Sequence, residues 1–95
     1  MSVVMTSIGR TRDWRALEAL NRECLVERAR AAGATSYRVY RNACDAAELL
    51  LVAEFPDHAS VGEAGRALAA PLGAVLEGGG SDDRVWERTD LAGIG

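Results

Sequence analysis

Ninety-five residues, 48% apolar and 26% charged, describe one ordinary globular domain over 1–95 whose single core buries roughly 60–65% of the unfolded surface. The formal charge is −3 with no basic block, so the electrostatic footprint of a nucleic-acid binder is missing. No apolar run approaches a membrane span, and the apolar start at 1–8 is too short for a signal peptide, so a soluble cytoplasmic protein is expected.

All 11 basic residues are Arg, and Ala and Gly are abundant, a bias that fits a GC-rich bacterial genome rather than a chemistry. Cys24 and Cys44 are too few for a disulfide framework and read as reduced thiols.

In chain order, 3–8 reads as a strand ended by Gly9. Asp13 is a suitable N-cap for a helix over 14–32, and Gly33 suits its C′ position. At about 100° per residue, Trp14, Leu17, Leu20, Cys24, Leu25, Ala31 and Ala32 share one arc, and Asn21 and Arg28 project into it. A second strand, rich in aromatic and β-branched residues, is expected over 35–41, followed by a turn over 42–47.

The most apolar stretch is 48–55, bounded by Asp45 and by Pro56-Asp57. As a strand it places Leu50 and Val52 on one face and Leu49, Leu51, Ala53 and Phe55 on the other, so both faces want to be dry. Asp57 can cap a second helix over 58–70 that Pro71 stops. Its apolar arc is narrow (Val61, Ala64, Gly65, Leu68), and Gly62 and Gly65 each cost a helix about 1 kcal/mol. Either this helix packs very close to the sheet or it leaves space beside it. A short helical turn over 72–77, a flexible glycine-rich loop over 78–83, a last strand over 84–89 and a tail over 91–95 complete the chain.

The order β-α-β-β-α-β is the ferredoxin-like α+β arrangement, a four-stranded antiparallel sheet with both helices on one face. Helices cover one side of the 48–55 strand, and the economical cover for the other is a second copy of the chain, giving a homodimer through the sheet.

At this point the chain resembles the dimeric α+β barrel superfamily. The resemblance rests on Asp13-Trp14-Arg15-Ala16-Leu17, Gly33, Tyr37-Arg38-Val39-Tyr40-Arg41, and Leu50 to Asp57 before an Ala-rich helix, spanning roughly 3–72. It implies two sheets closed into a barrel and a cleft between sheet and helices for a small apolar or aromatic molecule. It also implies the activities found there: antibiotic-biosynthesis monooxygenases and polyketide cyclases without a cofactor, lactone isomerases, haem-degrading enzymes and stress-response proteins. No Trp follows the 48–55 strand, so the Asn, Trp and His set of the haem-degrading branch has no match, nor is there a full Tyr and His pair of the cyclase branch.

Candidate catalytic residues are His58, Glu54 and Arg28. His58, the only histidine, could act as a base or hold a haem iron, or simply face solvent in the first helical turn. Glu54 shares a face with Leu50 and Val52 and could serve as a base or pair with an Arg. Arg28 could hold an enolate by paired hydrogen bonds, or extend past the core. Asn21 could donate to an oxyanion. Tyr37 and Tyr40 have opposite parity, so only one faces the helices. Trp14 and Arg38 complete the candidate substrate-binding set, although Trp14, like Trp86, is of a type found more often in a core or interface than as a cofactor platform.

Other readings fail on composition. Gly78-Gly79-Gly80 lacks the Lys-Ser/Thr of a phosphate loop, and Cys24, Cys44 and His58 are too scattered for zinc. The RNA-recognition version of the fold lacks its stacking aromatics, and the metal-transfer version lacks its Cys-x-x-Cys. The sequence thus leads to an enzyme working by proton transfer without cofactor, or to a non-catalytic ligand-binding or protein-interaction barrel, with haem binding as a further alternative.

Overall fold

The structure, a computed structural model, describes residues 2–91 with Gly93 and Ile94; the expected tail therefore lies partly outside the described residues. Strand β1 (Val3–Arg10) leads into α1 (Trp14–Leu20), a π-helical segment (Asn21–Leu25) and α2 (Val26–Ala31), which follow one another without a break. Strands β2 (Ser36–Asn42) and β3 (Asp45–Phe55) form a hairpin, then α3 (His58–Gly73) crosses back to β4 (Asp82–Glu87). The sheet is antiparallel throughout, in the order β2-β3-β1-β4, which is the ferredoxin-like arrangement expected.

Both caps act as the sequence implies. Asp13 accepts from the Ala16 N–H at 3.0 Å and Asp57 from the Ser60 N–H at 2.8 Å. The Ser60 backbone bond, followed by the Ser60 hydroxyl, holds the Asp57 carboxyl below its usual range. Gly33 closes α2 with a φ of 106°, a conformation few side chains tolerate.

The π segment changes what the helix presents. The Val26 N–H bonds to the Asn21 carbonyl, five residues back, which inserts one extra residue into the turn. Positions after it are rotated by about one residue, roughly 100°. An unbroken helix would place Arg28 inward; instead Ala29 is buried and Arg28 is exposed. The expectation that Arg28 points at the sheet is corrected by this single insertion.

Other boundaries move as well: β1 runs on to Arg10, and β3 already begins at Asp45, inside the expected turn. Helix α3 continues through Pro71 to Gly73 rather than stopping before it. A proline removes the donor for the carbonyl four residues back, here that of Ala67, and this carbonyl accepts from Arg28 Nη1 at 3.0 Å. The glycine-rich stretch is also more ordered in pattern than a plain loop. Glu77–Gly79 form a 3-10 turn, with Gly78 and Gly79 at φ 69° and 72°, and β4 already begins at Asp82.

The core lies on the helix side of the sheet. Val3, Met5, Leu49, Leu51, Ala53 and Phe55 face Leu17, Leu25 and Ala29 on one side and Val61, Ala64, Leu68 and Leu72 of α3 on the other. The alternation expected in the central strand holds: its odd-numbered apolar residues are buried, while Leu50, Val52 and Glu54 are half-buried on the uncovered face.

Candidate functional site

Helix α3 leaves space beside it rather than packing tightly. A Cβ added at Gly65 would meet nothing within 4 Å. Gly65 and Ala69 of α3 border a cavity of about 270 Å³ that opens between this helix and the β1–β4 half of the sheet. Met5 and Ser7 of β1 line it, as do Leu68 and Leu72 of α3 and Leu76 beyond the helix. Gly79, Gly80 and Ser81 close one end, and Asp83 of β4 stands at the side.

The segment after α3 is anchored from several directions. A Cβ at Gly9 would lie 3.2 Å from the Leu76 methyls, so the absence of a side chain there lets Leu76 settle on the sheet. Thr11, almost wholly buried, donates to the Val75 carbonyl at 2.8 Å. Arg12 Nε meets Glu77 Oε1 at 2.6 Å, and Arg10 lies 3.6 Å from the other Glu77 oxygen while bonding Asp45 at 2.6 Å. That Arg10 bond is the main reason the Asp45 carboxyl lies below its usual range. Gly73 and Gly79 come together backbone to backbone, and a Cβ at Gly73 would sit 3.2 Å from the Gly79 carbonyl oxygen.

The polar equipment of the cavity is small. Ser7 and Asp83 are partners in the β1–β4 register and share the face towards α3. The Ser81 hydroxyl donates to Asp83 Oδ1 at 2.6 Å. A carboxylate and hydroxyls beside apolar walls can hold a polar head and pass a proton. Among the described residues no three of His, Cys, Asp and Glu gather as a metal site.

None of the candidate catalytic or substrate-binding residues named from the sequence borders this cavity. His58, in the first turn of α3, is largely exposed, with Nε2 3.3 Å from Glu87 Oε1. Glu54 faces the uncovered side of the sheet, as do Arg38 and Tyr40. Arg28 is engaged with Ala67, as above. Tyr37 is the tyrosine on the helix side: its hydroxyl donates to Asn21 Oδ1 at 2.5 Å, and burial pushes its pKa up to about 12. Trp14 donates from Nε1 to the Ala46 carbonyl at 2.6 Å and carries the Arg41 guanidinium 4.1 Å over its ring. Asn21 and Trp14, with Tyr37 of β2, thus lie over the β2–β3 half of the sheet, away from the cavity.

Ser7 and Asp83 went unnoticed in the sequence. Ser7 carried a signal, the one polar side chain in the inward series Val3, Met5, Ser7, but Asp83 reads as loop until β4 is seen to start at Asp82.

The uncovered face carries its own pattern. Ile8, Tyr40 and Trp86 are 43%, 50% and 50% exposed, beside half-buried Val4, Leu50 and Val52. The Trp86 indole N–H donates to the Thr6 hydroxyl at 2.8 Å, which ties the ring to β1 on this face. Arg10, Arg38 and Arg84 alternate there with Glu48, Glu54 and Asp82, so both signs of charge are present on one surface.

No protein-family model matches the chain, and no curated protein matches its sequence. Solved structures do. The Rv0793 protein of Mycobacterium tuberculosis is 25% identical, with a TM-score of 0.73 over 98% of this chain and 100% of that one. SnoaB, a cofactor-independent oxygenase from Streptomyces nogalater, is 15% identical with a TM-score of 0.66 over 95% of each chain. A protein from an uncultured marine organism, described as a dimeric ferredoxin-like protein, is 11% identical with a TM-score of 0.65 over 97% of this chain and 93% of that one.

Proposed function

With the fold of the dimeric α+β barrel superfamily as the premise, we propose that this chain is a homodimer, closed through its uncovered sheet face. We further propose that it binds a small apolar or aromatic metabolite between α3 and the β1–β4 half of the sheet. The observation that carries the reading is the cavity of about 270 Å³, apolar on its walls and provided with a carboxylate and hydroxyls. The uncovered face supports the dimer, because burying the part of Leu50, Ile8, Tyr40 and Trp86 that is still exposed is worth about 1 kcal/mol for each.

Chemistry without a bound metal or nucleotide would then be proton transfer. Asp83 is the ionisable group beside the cavity, and its carboxylate would take a proton from a carbon next to a carbonyl. Ser7 would donate to the enolate oxygen, and the carbanion's electron pair would either close a ring or go to dioxygen, as a cyclase or an oxygenase requires. The cofactor-independent oxygenase of the same fold supports this class.

A second reading is a non-catalytic ligand-binding barrel. It is favoured by the positions of His58, Glu54 and Arg28, all away from the cavity, which leave Asp83 as the one ionisable side chain among the described residues that line it. Haem binding gains no support, since His58 faces solvent beside Glu87.

Native mass spectrometry of protein purified without added ligand tests the proposal. The expected result is a dimer of about twice 10.1 kDa with a retained small molecule that Gly65→Phe, by filling the cavity, excludes. A bare monomer, or a ligand retained equally by the variant, would overturn it.

A further inference from the structure

We infer that Asp83 sets the charge of the molecule the cavity holds: an apolar body with a hydrogen-bond-donating head is accepted and a carboxylate is refused. The inference rests on the ligand-binding reading above. Asp83 Oδ1 already accepts from Ser81, while Oδ2 has no side-chain partner among the described residues. Among the described residues no cation forms an ion pair with it. The neighbouring Arg84 lies on the opposite face of β4, where its Nη2 is 3.6 Å from Asp82. The remaining polar side chains at the cavity are the hydroxyls of Ser7 and Ser81.

Met5, Leu68, Leu72 and Leu76 make the other walls; Asp83 itself is solvent-exposed on β4, so water screens it in part, and a second negative charge brought beside it is disfavoured only a few-fold. A head that donates, whether a neutral hydroxyl or an ammonium, would meet Oδ2 directly, with Ser7 able to donate or accept beside it. The size of the body follows from volume. An apolar cavity of about 150 Å³ takes benzene, so one of about 270 Å³ suits two fused rings.

Three probes of one shape test this: naphthol, naphthylmethylamine and naphthoate, substituted at the same ring carbon and titrated calorimetrically into the full chain. Naphthol and the amine should bind, and naphthoate should be weaker by about fivefold. Asp83→Asn keeps an acceptor for Ser81 and should close that gap, chiefly by strengthening naphthoate. Naphthoate binding as tightly as naphthol, or a ranking unchanged in Asp83→Asn, would overturn the inference while the binding cavity stands. If none of the probes binds, or if Gly65→Phe leaves their binding intact, the cavity reading falls and the inference with it.

Discussion

Arg28 Nη1 donates to the Ala67 carbonyl at 3.0 Å, and that carbonyl is the one Pro71 leaves without its helical donor. One arginine thus completes a helix that a proline would otherwise weaken, and it ties α2 to α3 while doing so.

The coupling is measurable. Arg28→Ala should destabilise the fold by about 1–2 kcal/mol in urea denaturation, because the bond is charge-assisted but exposed. In a Pro71→Ala background, where residue 71 regains its N–H, the same change should cost less than half as much. Equal costs in the two backgrounds would show that Pro71 and Arg28 are not linked.

Tyr37 gives a pH dependence with a definite sign. Burial raises its pKa from 10.0 to about 12, so the folded state favours the neutral phenol. The associated stability is complete below the unfolded value and is lost as pH rises through the folded one. Denaturation midpoints should therefore fall between pH 10 and pH 12, alongside a late tyrosinate absorbance step. Tyr37→Phe should abolish that late step and cost about 1 kcal/mol through the unpaired Asn21 Oδ1.

Two glycines should respond to alanine in opposite directions. Gly65→Ala places its methyl in open space and should stabilise by about 0.5–1 kcal/mol, raising the thermal midpoint by about 3–6 °C. Gly73→Ala sets a methyl against the Gly79 carbonyl and should lose that gain or lower the midpoint. A destabilised Gly65→Ala would mean that α3 packs closer to the sheet than described.

The uncovered face can be tested by charge. Ile8→Glu places a carboxylate amid Leu50 and Tyr40, and burying it unpaired against a second copy would cost several kcal/mol. Sedimentation should show the wild type as a dimer and the variant as a monomer with an unchanged circular dichroism spectrum. A variant that remains dimeric would place the interface elsewhere.

How much of this was legible in advance depends on whether a residue's position follows from local periodicity. The two faces of 48–55, both N-caps, the Gly33 cap and the opposite facings of Tyr37 and Tyr40 follow from rules that act over a few residues. The site was not legible in the same way. Arg28 followed helical periodicity in the sequence, and the π segment seven residues earlier, which no local signal marks, turned it away.

The order of elements, the apolar residues on both faces of the central strand and the thin, glycine-bearing face of α3 can be read from the chain alone. These rest on hydrophobic alternation and backbone preference, which each residue carries with it. Tertiary structure alone decided what lines the cavity. Ser7 and Asp83 lie far apart in the chain and meet only because β4 pairs antiparallel with β1 in this register, and a one-residue slip would turn Asp83 to the other face.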